Sequence, residues 1–460
     1  MSFSMNKVFF FILFMSSTSF AETNYKGLFF INSYTPKYEF SPKDWKQELA
    51  QVWLSANSEF SDNFSFDGTL DFMAQGQAIS PSKKDFNLDL REAYFEKKYS
   101  SFRFKFGRIF IPWGNGDGFN PTDVLGAWDQ NRLSTDQETQ RLASDSLALE
   151  YLPEKTTVLC RNWVKIKARN GKANGKKCRE KEVSVSKKNW KATVIWTPLF
   201  TKGKWLLNPS WLGPQVSLKE HDQNTVKLED SETALRWRYE GNGWDLSLMG
   251  FYGFQHFPHY SLVSSSILSP TSVELILRPT YIRHNVLGLE YSTTWSDYIF
   301  TFESAYKQTI PPQENDRTLS PPHLEAIMGF ERGFFEHYRF KFQFFGKEYS
   351  QWRYSETSVN PITEALVEIN ARLFGFKHRS QVGISGFVNY ENEDSGFKVE
   401  LFAQNNSTTQ EGLAQLTLSK QWTDNLETSL GTIEIFGDPA SDSYALRGLS
   451  NYFIELKSWF

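Results

Sequence analysis

Apolar and polar residues alternate with a period of two along most of this chain, and the apolar member is often a ring. Phe64, Phe66, Leu70 and Phe72 alternate with Ser65, Asp67, Thr69 and Asp71; Phe102, Phe104 and Phe106 with Arg103 and Lys105. Leu235, Trp237 and Tyr239 alternate with Arg236, Arg238 and Glu240, and Tyr298, Phe300 and Phe302 with Thr301 and Glu303. Tyr338, Phe340, Phe342 and Phe344 alternate with Arg339, Lys341 and Gln343, and Phe397, Val399 and Leu401 with Lys398 and Glu400. A β-strand sends successive side chains to opposite faces, so each segment has one apolar face and one charged face. Tight polar links at Ser61-Asp62-Asn63, Tyr99-Ser100-Ser101, Trp295-Ser296-Asp297 and Thr423-Asp424-Asn425 alternate with long irregular connections. The pattern predicts strands near 25–36, 45–60, 62–77, 86–99, 101–112, 145–153, 188–198, 225–240, 243–256, 283–295, 297–309, 321–333, 335–349, 379–390, 395–405, 411–422, 424–436 and 446–460. The fold class is all-β: a transmembrane antiparallel up-and-down β-barrel of about 18 strands, within a range of roughly 16–20. Lipid outside takes the rings and water inside takes the charges. A soluble β-sandwich, with its aromatic faces packed on each other, is the alternative.

Two regions break the rhythm. Residues 161–191 hold twelve Lys or Arg against Glu180 and Glu182. On a lipid face each such charge costs about 2–4 kcal/mol at the midplane, so the stretch near 160–190 reads as an insertion between strands. Strand parity places it on the rim that carries both chain ends, unless it forms an extra hairpin and brings the count to about 20. The second region, Pro361 to Phe374, spaces Ile362, Leu366, Ile369 and Leu373 as a helix would, and is expected as a short helix or surface loop.

The amino terminus sets the compartment. Lys7 precedes an apolar run from Val8 to Met15 and then Ser16-Ser17-Thr18-Ser19-Phe20-Ala21. This has the three parts of a secretory signal peptide, residues 1–21, with cleavage expected after Ala21 and residues 22–460 as a single barrel. The run falls short of the about 20 apolar residues of a spanning helix. The insertion then faces the periplasm, where Cys160 and Cys178 are expected to pair in a disulfide worth about 3 kcal/mol, two buried thiols being the alternative. No His lies nearby to complete a metal site. Composition sharpens the barrel reading: 41 Phe, 15 Trp and 19 Tyr make 16% aromatic residues beside only 40% hydrophobic, as girdles of rings on a water-filled cylinder require. A net charge of −3 argues against a nucleic-acid partner.

One connection invites a function. Gly107 to Leu125 begins as a strand, is stopped by Pro112, which has no amide hydrogen, and continues through Gly114, Gly116 and Gly118. It runs on to Ser144 without a clear strand, and long connections of this kind in compact folds tend to be functional or disordered. The expectation is a loop folded into the lumen, anchored by Trp113, Phe119 and Trp128. Trp113, Asn115, Asp117, Asn120, Asp123 and Asp129 would then build a constriction. An ordinary extracellular loop rich in turn formers is the alternative. A dinucleotide fingerprint fails because no helix follows the glycines, and Asp117, Asn120 and Asp123 lack the spacing of a calcium loop.

The segments Gly107-Arg108 through Trp113-Gly114 and Phe119-Asn-Pro-Thr-Asp-Val124 resemble a family of large porin-like outer-membrane barrels of unassigned function. So do Ala234-Leu-Arg-Trp237, Trp244 to Phe257-Pro258, Leu277-Arg-Pro-Thr-Tyr281 and Leu287-Gly-Leu-Glu-Tyr291. The last strand, with Tyr452, Ile454, Leu456 and Phe460 on one parity and Glu455 and Lys457 on the other, resembles the terminal strand of bacterial outer-membrane barrels. The resemblance implies the outer membrane of a Gram-negative bacterium, lipid as a partner, and for some members an inner-membrane exporter or periplasmic carrier beside the barrel.

The expected function is a porin-like channel or export conduit for small or amphipathic solutes. Arg103, Arg236, Arg238, Arg339, Lys341, Asp67, Asp71, Glu303 and Glu400 would face its lumen as a mixed lining. Assembly or surface binding through the long loops is a second reading. A hydrolase is a third, weakened because Gly383-Ile-Ser385-Gly386 misses the nucleophile-elbow spacing and no His has an evident base partner. No cofactor, metal or catalytic group is expected.

Overall fold

A computed structural model describes residues 22–460 except 38–46, 62, 77–83, 115, 117, 130–133, 135–136, 168–172, 188, 205–215, 219–227, 270–271, 312–315, 357–359 and 438–449. The expected signal peptide, 1–21, lies outside the described residues. Eighteen antiparallel strands form one sheet that closes on itself. They are β1 (Glu22–Pro36), β2 (Gln47–Ser61), β3 (Phe64–Gly76), β4 (Lys84–Tyr99), β5 (Phe102–Ile109), β6 (Ser144–Tyr151), β7 (Trp190–Thr197), β8 (Glu232–Glu240) and β9 (Trp244–Phe254). The circuit continues through β10 (Arg283–Trp295), β11 (Tyr298–Thr309), β12 (His323–Phe334), β13 (Tyr338–Tyr349), β14 (Ser380–Asn392), β15 (Phe397–Asn406), β16 (Glu411–Thr423), β17 (Leu426–Gly437) and β18 (Asn451–Trp459). Each of the 18 expected strands is present, with ends shifted by a few residues.

Closure joins β18 to β1, with Leu28 opposite Trp459 and Tyr34 opposite Phe453. The Phe460 amide donates to the Gly27 carbonyl at 3.0 Å. Gly27 is needed there because a Cβ would collide with the Phe460 ring. Inside the seam the Tyr34 hydroxyl donates to Glu455 at 2.7 Å. The parity of this strand is clear from exposure: Ile454 is 60% exposed on the outer face, Glu455 2% on the inner. A slip of one residue would exchange the two faces, so the register is strongly determined.

The rims differ. Turns at 100–101, 296–297 and 424–425 are tight, with Ser100 and Ser296 at φ 50° and 54°. Rings gather along this rim, as in the Tyr239–Trp244, Tyr151–Trp190 and Tyr338–Tyr390 contacts at 5.1, 5.6 and 4.9 Å between centroids. The basic insertion is on the same rim and forms a separate two-stranded hairpin, Glu154–Lys167 with Ala173–Lys187, outside the barrel circuit. Its register sets Cys178 opposite Trp163 and Cys160 opposite Lys181. The cysteine side chains lie outside the described residues.

The opposite rim carries the long connections. The stretch between the expected strands at 243–256 and 283–295 contributes to a small sheet of His259–Ser269, Ser272–Thr280 and Val216–Leu218. Its strands were obscured because three consecutive serines, Ser264 to Ser266, interrupt the apolar alternation. Against it packs α1 (Pro361–Phe374), started by Asn360, whose side chain accepts the Ile362 amide, and ended by Gly375 in the left-handed region. The helical spacing read from the sequence is its buried face: Ile362, Leu366, Ile369 and Leu373 meet Tyr260, Leu275 and Leu277. Asn370 locks the joint, accepting the Tyr260 amide at 2.9 Å and donating to the Tyr260 carbonyl at 3.0 Å.

His259 makes this cap sensitive to pH. Its ring bridges Thr280 at 3.3 Å and Thr318 at 2.9 Å. Burial pushes its imidazole down to about 4, against the opposing pull of Asp316. An unfolded imidazole titrates near 6.5, so between about 6.5 and 4 only the unfolded segment takes up the proton, and the cap loses up to about 3 kcal/mol as pH falls. The protection factors of residues 259–266, which correct for the intrinsic slowing of amide exchange toward acid, are expected to fall between pH 7.5 and pH 5. His259→Gln is expected to flatten that dependence, and a dependence that persists in the variant would assign it elsewhere.

Candidate functional site in the barrel interior

The connection from β5 to β6 folds into the barrel. β5 stops at Ile109, and Gly114 adopts φ +82°, where a Cβ would collide with the Asn120 amide. Asn120 fills that space as a clasp. Its Nδ2 donates to the Trp113 carbonyl at 3.1 Å, and its Oδ1 accepts the amides of Thr122 and Asp123 at 3.2 and 3.1 Å. Trp113, Val124 and Leu125 then pack on inward residues of five consecutive strands: Ile195, Ala234, Met249 and Phe251, Val286, and Ala305. The loop therefore occupies the β7–β11 side of the interior.

Its polar side chains are consumed in holding it there. The Thr122 hydroxyl donates to Glu303 at 3.0 Å, with both groups buried. Arg141 pairs with Asp123 at 2.7 Å and lies over the Trp128 ring at 4.4 Å. Lys204 pairs with Asp129 at 3.1 Å, and its amide donates to the Trp128 carbonyl at 2.8 Å. His256 supports the same region: it contacts the Thr201 carbonyl at 2.8 Å, and burial holds its imidazole below the usual range despite the nearby Thr201 and Val124 carbonyls and Asp123.

This corrects one expectation. Asn120, Asp123 and Asp129 do not line the open space, because each found a local partner and was drawn under the loop. Asn115 and Asp117 lie outside the described residues. The tip bordering the cavity is Gly118 and Phe119, whose ring stacks on inward Phe345 with centroids 5.1 Å apart.

The expected lumen charges lie on the inner face, and most are paired. Arg103 donates to Glu150 at 3.0 Å. Arg236 pairs with buried Glu290 and sits 5.6 Å from the Trp113 ring centre. Arg238 reaches Asp245 at 3.2 Å, Arg339 reaches Glu331 at 3.5 Å, and Lys398 reaches Glu400 at 2.9 Å. Asp67 accepts from Asn57, and Lys341 lines the cavity. The side chain of Asp71 lies outside the described residues. Glu303, expected to meet water, is covered by Thr122.

What the loop leaves is a cavity of about 1250 Å³ along the inner faces of β12–β18. Phe345, Phe387, Phe402, Gln404 and Gln415 line it, and none stood out in the sequence. A signal was present: Phe344-Phe345 and Leu401-Phe402 put apolar residues on both faces of a strand. That is uneconomical unless the inner one has something to meet.

The architecture has close counterparts. OccAB1 of Acinetobacter baumannii is 10% identical, with 97% of this chain and 98% of that one covered at a TM-score of 0.53. The fold is a porin-type barrel. OccAB4 of the same organism gives 8% identity, 96% and 99% coverage and 0.53, and the outer membrane protein OpdK of Pseudomonas aeruginosa 9%, 95% and 98%, and 0.53. No protein-family model matches the sequence, and no curated protein is similar to it. This porin-type barrel shares with those proteins its architecture across nearly the whole chain, at identities that leave the lining residues its own.

Proposed function

We propose that the chain is an outer-membrane channel for small solutes, with signal residues 1–21 removed after Ala21 and no catalytic step. One observation carries the reading: a closed barrel has an apolar outside, with Leu287 66% exposed, while a cavity of about 1250 Å³ with charged, amide and aromatic lining stays open beside the inward-folded loop. Large exposed side chains in a continuous band demand a lipid surround, and an interior too wide to be filled by its own side chains holds water. The constriction is the Gly118-Phe119 tip facing β13 and β15. Purified protein in planar bilayers is expected to give steady open-channel current. Silence under conditions where the barrel is inserted and folded would overturn the channel reading.

Export coupling is the second reading, favoured by the basic hairpin. It stands on the tight-turn rim, which faces the periplasm in barrels of this type, and its residues lie in the stretch with twelve Lys or Arg in a chain of net charge −3. Such a projection suits a periplasmic carrier or inner-membrane exporter with acidic groups.

A further inference from the structure

Charges are frequent in the cavity, yet they avoid one band of it. The strand register defines inward rows running across the wall. One passes through Ser385, Gln404 and Leu413; the next passes through Phe387, Phe402 and Gln415. Neither set contains a charge, and the first one met along the second row is Lys341, opposite Phe387 on β13. The flanking rows are different. Toward the tight-turn rim, Asn389 faces Glu400 and Glu391 faces Lys398; toward the other rim, Asn406 faces Glu411. Gly118 at the loop tip meets the uncharged band, where a Cβ would touch the Phe402 ring and the Gln404 amide, while Phe119 lies on Phe345 at the start of the flanking row that runs through Gly383, Asn406 and Glu411.

We infer that this band recognises neutral polyhydroxylated solutes, such as mono- and disaccharides, an inference that rests on the channel reading. A solute squeezed between the loop tip at Gly118 and this band loses much of its water. A charged one would lose hydration without a counter-charge in these rows, which costs far more than a neutral group does. A bare hydrocarbon would leave the Gln404 and Gln415 amides without partners, at a cost per group comparable to a lost hydrogen bond. A sugar satisfies both demands: its C–H faces lie on rings, and its hydroxyls both donate and accept. Among the charges beside the band, Lys398 pairs with Glu400 at 2.9 Å and Arg339 with Glu331 at 3.5 Å, so these four project little net field on a neutral solute.

The test uses the full-length mature protein in planar bilayers and in swelling assays on proteoliposomes. Maltose and glucose are expected to interrupt the ion current in a concentration-dependent manner. They are also expected to enter liposomes faster than glutamate or lysine of similar size. Gln404→Leu, which keeps shape, and Phe402→Ala are each expected to weaken the interruption about tenfold while ion current persists. Heat-modifiable mobility verifies that each variant is folded. Ion current without interruption by either sugar, and with no preference over the charged solutes, overturns this inference alone. Interruption unchanged in both folded variants also overturns it. Absence of ion current overturns the channel reading itself.

Discussion

Replacing residues 115–129 by a short Gly-Ser link is expected to raise single-channel conductance about two- to threefold. The loop covers the inner faces of β7–β11, and the cavity follows β12–β18, so its removal opens the interior along the five strands beside the cavity. The barrel should survive the change. Its closure depends on strand ladders, and the loop contributes only the Trp113 cluster and a handful of ion pairs. The inner wall uncovered by the deletion, Ile195, Met249 and Phe251, is apolar and would wet poorly, which limits the gain. Phe119→Ala is expected to give a smaller increase, since it withdraws one ring from the tip and leaves the clasp at Asn120 intact. Unchanged conductance after the deletion would show that current is limited elsewhere, and the constriction would have to be reassigned.

The largest loss of stability is expected at Arg236. Its guanidinium pairs with Glu290, touches Ser247 at 3.4 Å and lies beneath the Trp113 ring. Glu290 is 3% exposed. Arg236→Met would strand that carboxylate under the loop, at a cost of about 3–5 kcal/mol. Adding Glu290→Gln removes the uncompensated charge, so the double variant is expected to recover most of the loss. Urea midpoints in lipid vesicles, followed by tryptophan fluorescence, measure both. If the single and double variants unfold at the same midpoint, Glu290 is hydrated in the native barrel and the pair is not a buried one.

The path of the loop could have been read from the strands. Across β7–β11 the inward positions include Ile195, Ala234, Met249, Val286 and Ala305, where a water-filled lumen would favour polar groups. The wall under the loop therefore carries an apolar patch among its polar groups, and the rings of the loop lie on that patch. Reading only the loop, with its Asn and Asp residues, led instead to carboxylates at the constriction. Polar residues in a long connection first satisfy its own backbone and nearest cations, as Asn120, Asp123 and Asp129 do, and only the remainder reaches the solvent.

Alternation together with the turn signals pointed to a barrel of about 18 strands and to the face each side chain takes, because a pleated strand permits only two directions. Helical spacing marked Pro361–Phe374 as a short helix or surface loop, and the structure makes it a helix. Only the folded structure decided that the Gly107–Ser144 connection turns inward, that Thr122 covers Glu303, and that Phe119 meets Phe345 across the lumen. Such contacts join residues far apart in the chain, and no local period encodes them. They depend on the barrel's circumference, which brings β5 opposite β13 only after all 18 strands have closed.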